Sequence, residues 1–229
     1  MTKWSLRKRA SRTYQRIGGS DVVKRRMVMT EFAHKHDLIY FHTVSAEEDS
    51  VPVIRGSTAT PKQVDSNVSI GTHAGYDMVL IERAGDVEFI GFESTFHRWY
   101  VLEIDLKYAR NVPFVFLGTQ QLTKAFYAKV LTSHRDVRYL QLASQAASTA
   151  AFHGHYALIA SPTHLPLLHR LFDEEAVTMI GTHKRPFTVE IEGDSLILFA
   201  EAEKANEQLL DQLLHYGLWL ARRIDERAA

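Results

Sequence analysis

The sequence predicts an α+β protein, one or more antiparallel β-sheets with packed helices and a long C-terminal helix. Three observations carry that class. Residues 187–192 alternate apolar and polar side chains, and after a Gly-Asp pair residues 195–199 run back, the pattern of a hairpin. Residues 68–117 hold several more period-two runs separated by turn residues, the pattern of an antiparallel meander. From about residue 201 the period changes from two to that of a helix.

Taken in order, residues 1–19 read as a basic, flexible arm ahead of a single domain over 20–229. Residues 1–26 hold nine basic residues and one acid, Asp21. The formal net charge of zero therefore hides a body with 18 basic and 26 acidic residues, a balance of −8. Such asymmetry bears on partners rather than on fold. No apolar run approaches the roughly 20 residues that span a bilayer, and the arm lacks the apolar region of a secretory signal. Its Arg-rich, acid-poor composition fits an organelle transit peptide. Gly18-Gly19 reads as a break.

Ser20 is a candidate N-cap for a helix to about residue 36, with Val22, Val23, Met27, Met29, Phe32 and Ala33 on its inner side. Residues 38–41 read as a short buried strand. Residues 43–66 are polar and rich in Ser, Thr, Asp, Glu and Pro, a length often tied to mobility or function. Strands are expected at 68–73, 76–82, 87–92, 97–106 and 113–117, with turns at Ala74-Gly75 and Gly85-Asp86. Thr119 can cap a helix to about 131. Residues 137–142 suit a strand, 143–151 are ambiguous, and 156–160 suit a strand. Ser161-Pro162 opens a helix through 172, since proline is accommodated in a first turn. Residues 175–180 suit another strand.

Gly193-Asp194 makes the closing two-residue turn, because both residues tolerate positive φ. Leu210, Leu213, Gly217, Leu220 and Ile224 then share one helix face, widened by Leu209, Leu214 and Trp219. That stripe suits a helix packed on its own sheet; its spacing would also suit a homodimer seam. The order of elements permits two diverged helix-and-meander halves with a boundary near residue 118, although no repeat is visible.

The chain resembles an uncharacterised bacterial family, usually described as hypothetical or membrane proteins of unknown function. Over about residues 22–225 the resemblance is carried by a helix ending in Glu31-Phe-Ala-His-Lys-His-Asp-Leu-Ile-Tyr40, by Gly71-Thr-His-Ala-Gly75 and by Glu82-Arg83. It continues through a His97-containing strand ending Val101-Leu-Glu-Ile-Asp-Leu106, Phe152, Tyr156, Ser161-Pro162 and Ile191-Glu-Gly-Asp-Ser-Leu-Ile-Leu198. These motifs maintain a fold. Such proteins often carry hydrophobic spans ahead of this domain, a position held here by the basic arm. The resemblance implies no activity and no catalytic residue.

The candidate chemistry is sparse. With no cysteine there is no disulfide, no thiolate nucleophile and no cysteine-ligated zinc, which fits a cytoplasmic protein. No nucleophile elbow, phosphate loop or His-Glu-x-x-His motif occurs, and no cofactor is implied. His153 and His155 would share a face if they lay in a strand and could bind a metal with His164, His169 or Glu201. His34 and His36, two apart on a helix, point apart. Glu103 and Asp105 share a strand face with Trp99 and Val101 and suit either acid–base work or a solvated face.

The sharpest functional feature is the cationic set Lys3, Arg7, Lys8, Arg9, Arg12 and Arg16. Each such charge contributes about 1 kcal/mol beside an anionic lipid surface, and Trp4 and Leu6 would add shallow insertion. The same arm could contact nucleic-acid phosphates with Trp4 and Tyr14 stacking on bases, although the acidic body argues against that partner. It could also be a solvated tail. Three readings follow: a cytoplasmic, non-catalytic binding domain recruited to an anionic membrane surface, peripheral at the inner membrane; an enzyme with a His/carboxylate site; and a nucleic-acid-binding protein.

Overall fold

A computed structural model describes residues 19–43, 53–61, 63–87, 91–108, 112–142 and 147–228. Helix α1 (Gly19–Lys35) leads into β1 (Ile39–Thr43), β2 (Val64–His73), β3 (Tyr76–Val87), β4 (Thr95–Asp105) and β5 (Val112–Thr119). Next come α2 (Lys124–Ser133), β6 (Arg138–Leu140), α3 (Ala147–His155) and β7 (Tyr156–Ala160). A 3-10 turn (Pro162–His164) precedes α4 (Leu165–Leu171) and α5 (Glu174–Thr182). The hairpin β8 (Thr188–Gly193) and β9 (Ser195–Glu201) and helix α6 (Glu207–Ala228) close the chain.

The strands form one nine-stranded sheet in the order β1-β2-β3-β4-β9-β8-β5-β7-β6, with every pairing antiparallel. This bears out the α+β class. The C-terminal hairpin does not sit at an edge. It fills the gap between β4 and β5, so the sheet runs on unbroken across residue 118.

One sheet face carries α1, α3–α5 and α6 over a core that includes Phe32, Leu102, Phe152, Leu171, Ile180, Leu198 and Leu213. On the other face, residues 53–61 and α2 cover Val68, Ile81, Trp99, Val101, Phe116 and Phe199 with Ile54, Phe126 and Val130. The hairpin is therefore sandwiched. Its turn is as expected, with Glu192 opposite Ser195 and Gly193 at φ +66°. Its nominally polar positions Thr188 and Glu190 are nevertheless buried.

The apolar stripe of α6 is consumed inside the chain. Leu210, Leu213, Leu220 and Ile224 are buried, and a Cβ at Gly217 would lie 2.9 Å from Ile104 of β4. The packed-helix alternative thus holds, and that face has no surface left for a dimer seam.

Several local expectations are corrected. Residues 175–180 are helical, because Asp173 caps α5 by accepting the Ala176 N–H at 3.0 Å. The helix after Ser161-Pro162 is divided into a 3-10 turn and α4, with Pro166 in the first turn of α4. Thr119 ends β5, and Thr123 caps α2 instead. β3 runs straight through Gly85-Asp86. Gly85 is there for closeness: a Cβ would come within 3.1 Å of the Gln63 backbone. β1 is an edge strand with Ile39 and Phe41 exposed, not a buried one. On α1, Met29, Phe32 and Ala33 face the core, whereas Val22, Val23 and Met27 face outward.

Candidate functional site

The sheet face under residues 53–61 concentrates the buried charge. This strap crosses β3, β9 and β8 and is held by three ionic side chains. Arg83 is fully buried and grips Asp65 with two parallel contacts of 2.8 Å. Its remaining donors go to Thr58 Oγ1 at 2.9 Å and to the Ile54 carbonyl. Lys129 of α2 donates to the carbonyls of Ser57 at 2.7 Å and Ala59 at 2.6 Å. Glu190 of β8 accepts from Ser57, from N–H at 2.8 Å and from Oγ at 2.6 Å.

Gly56, at φ +89°, lets the strap lie this low. A Cβ there would meet Ile197 at 2.9 Å and the Glu190 carboxylate oxygens at 3.2 and 3.3 Å.

Between strap, α2 and β8 lies a cavity of about 270 Å³, lined by residues that include Lys129, Ser133, His134, Glu190 and Glu192. Glu190 and Glu192 alternate on one face of β8, which brings both carboxylates to it. His134 stacks on Phe114 with ring centroids 3.5 Å apart. Burial raises the Glu190 carboxyl above its ordinary value, against the opposing pull of the Ser57 donors. Burial also lowers Lys129 and His134. A cavity with three displaced titrations is the feature that marks a functional-site candidate.

A second constellation sits at the far end of β4. Thr95 Oγ1 and His97 Nε2 are 2.6 Å apart, and His97 Nδ1 is 2.7 Å from Glu201 Oε1. The imidazole stacks on Trp99. The order hydroxyl, imidazole, carboxylate is that of a nucleophile relay, but Thr95 lines neither this cavity nor the groove of about 430 Å³ over α6. On the opposite face, buried Glu82 is shared by Arg25, Arg98 and Asn67. Its charge is neutralised locally.

The residues singled out from sequence fare differently. Lys3, Arg7, Lys8, Arg9, Arg12 and Arg16 lie outside the described residues. His153 and His155 fall on α3, not on a strand. Two positions apart on a helix is about 200° around the axis, so they do not share a face. Among the described residues no group of three or more His, Cys, Asp or Glu side chains is placed to hold a metal ion. His36 instead contacts Asp211 at 3.1 Å, tying α1 to α6, while His34 is exposed. Glu103 accepts from Ser195, and burial raises both it and Asp105. Their strand face is therefore only partly solvated, and Trp99 and Val101 on it are wholly buried.

Sequence reasoning missed Glu190, Lys129 and the strap. The available signal was the pairing of a long polar segment with a glutamate inside an otherwise apolar strand.

Fold and site together define a class: an α+β protein on a single antiparallel sheet, helices on one face and a strap with one helix on the other. No family model and no curated protein matches the chain. Among solved structures it is similar to the crystal structure of the mycobacterial trehalose monomycolate transport factor A, TtfA. The TM-score is 0.57 over 88% of this chain and 92% of that one, at 16% identity, so the fold is what the two share. Among the described residues no helix is long and apolar enough to cross a membrane.

Proposed function

We propose that the protein is a non-catalytic interaction domain that works at an anionic membrane surface on the cytoplasmic side, held there by residues 1–27. The carrying observation is the exposed start of α1. Val22, Val23 and Met27 are 42%, 56% and 54% exposed, and the exposed cations Lys24 and Arg26 lie among them. Val23 and Met27, four apart, stand on one helix face turned away from the sheet. In the sequence this segment follows the cationic run of Lys3, Arg7, Lys8, Arg9, Arg12 and Arg16. Apolar side chains between cations suit the headgroup boundary, where shallow burial and charge attraction act together.

Two likenesses support the reading. The fold is shared with TtfA, a transport factor for trehalose monomycolate. The sequence motifs resemble the uncharacterised bacterial family, whose members often carry hydrophobic spans ahead of this domain. Arg83, Lys129 and Glu190 hold the strap and Arg223 and Asp211 tie helices together, which suits a scaffold that presents surfaces.

The test is co-sedimentation of the full chain with neutral and anionic liposomes at low and high salt. Binding to anionic vesicles that salt weakens is expected. It should fall at least tenfold when the six arm cations are changed to glutamine, and also in Val23→Asp/Met27→Asp. Equal binding by all three proteins, or none by the unaltered chain, would overturn the proposal.

A further inference from the structure

The cavity under the strap lies on the sheet face opposite α1, and its chemistry points to a ligand. Glu190 is 2% exposed and borders the cavity. Both hydrogen bonds from Ser57 go to its Oε2; among the described residues none reaches Oε1. One carboxylate oxygen of a buried side chain is thus left without a donor beside an open space. That oxygen opens on the cavity, where an N–H donor from outside can reach it.

The surroundings decide the sign of that donor. Glu192 adds a second carboxylate on the same strand face. Val130 and Ser133, from the last turn of α2, put the negative end of that helix at the cavity. Among the described lining residues Lys129 is the one Lys or Arg, and its ammonium is turned to the Ser57 and Ala59 carbonyls. His134, whose pKa burial lowers, is neutral near pH 7 and brings an aromatic face stacked on Phe114. Metal is a poor match, since no group of three or more acidic or His side chains among the described residues is placed to hold one. A volume of about 270 Å³ lies just under the usual range for small-molecule sites, so the occupant has few heavy atoms.

We propose that this cavity binds a small organic cation, a protonated amine or guanidinium, whose N–H groups reach Glu190 Oε1 and Glu192. The aromatic pair His134–Phe114 flanks it, and the strap of residues 53–61 forms the roof. A carboxylate and an N–H-bearing cation make charge-assisted hydrogen bonds, stronger than neutral ones, and an anion of the same shape is repelled by the same two groups.

The experiment is an NMR titration of the isotope-labelled full chain near pH 7 with n-butylammonium and methylguanidinium. Butyrate and 1-butanol serve as probes of equal size and different charge. Saturable shifts of the Gly56, Ser57, Ser133 and His134 amides are expected with the cations alone. Glu192→Gln, at a side chain that is exposed and tolerates substitution, should weaken the cation at least tenfold with the remaining spectrum unchanged. Glu190→Gln should weaken it further. Three results would overturn the proposal. The cations could produce no saturable shift, leaving a water-filled gap. Butyrate or butanol could shift the same amides equally. Or Glu192→Gln could bind as the unaltered chain does. Helix α1 lies on the sheet face opposite the strap, so either proposal can fail alone.

Discussion

Arg83 of β3 and Asp65 of β2 stand opposite each other in the sheet register and are joined by two contacts of 2.8 Å, with the guanidinium wholly shielded from solvent. This pair also fixes the strap, since the same guanidinium donates to Thr58 and Ile54. Asp65→Ala would leave a buried cation without its anion, which costs about 3–5 kcal/mol. Chemical denaturation should show that loss. Limited proteolysis should show faster cleavage within residues 53–61. A loss below about 1 kcal/mol would mean that solvent reaches Arg83.

Asp173 does two jobs at the start of α5. It caps the helix through the Ala176 N–H and pairs with Arg223 and Arg227 of α6. Burial pushes its carboxyl upward, but the Ala176 N–H and the Arg223 charge outweigh that and hold it below the usual carboxylate value. An acid with a lowered folded pKa stabilises the fold above its unfolded value and ceases to do so as pH falls through the folded one. Asp173→Ala should cost about 1 kcal/mol for the cap and about 1–3 kcal/mol more for the charge-assisted bond lost by Arg223, which keeps Glu175 at 2.9 Å. Asp173→Asn, which retains a capping oxygen, should be milder. The gap between the unaltered chain and Asp173→Asn should close as pH falls below 3.8. A gap as wide at pH 2 as at neutral pH would refute the ionic part.

That residue also shows where the sequence misleads. Val177, Thr178 and Ile180 are strand-favouring side chains, so 175–180 suggests a strand, while Asp173 three residues ahead of Ala176 is the signal for a cap. The closing hairpin and the stripe of α6 were legible because each depends on local periodicity and one turn. The hairpin's central place in the sheet was not, because it depends on pairing with β4 and β5. Glu190 was hidden for the same reason. Alternation assigns a glutamate to the outer face, and the cover comes from Ser57, 133 residues away. His153 and His155 misled through a wrong period, since a helix separates what a strand would align. The arm's charge was plain in the sequence, yet its residues lie outside those described.

Two glycines on neighbouring helices should respond with opposite signs. At Gly181 of α5 a Cβ would stand 2.8 Å from the Phe152 backbone N and 3.0 Å from its Cα. Backbone cannot turn aside as a side chain can, so Gly181→Ala should force α3 and α5 apart and cost about 1–3 kcal/mol. At Gly154 of α3 nothing lies within 4 Å of the added carbon. Gly154→Ala should stabilise the fold by about 0.5–1 kcal/mol through the greater helix preference of alanine. Thermal melts of the two variants test this directly; a rise in Tm for Gly181→Ala would contradict the close packing of α3 on α5.

Glu190 gives a stability effect with a definite pH signature. Burial raises its carboxyl above the ordinary 4.5, in spite of the Ser57 donors and the Lys129 charge. An acid with a raised folded pKa binds its proton more tightly in the folded state. Its contribution therefore turns unfavourable as pH climbs from 4.5 through the folded value, and is constant beyond it. Glu190→Gln keeps an oxygen for Ser57 and removes the titration. Below pH 4.5 the variant and the unaltered chain should unfold at the same denaturant concentration. As pH rises toward neutrality the variant should become the more stable. A difference of the opposite slope, with the unaltered chain gaining on the variant as pH rises, would show that Glu190 is held ionised in the fold, stabilised by Lys129 and the Ser57 donors more than burial opposes it. The strap would then rest on a true ion pair instead of on hydrogen bonds to a carboxyl that takes up its proton readily.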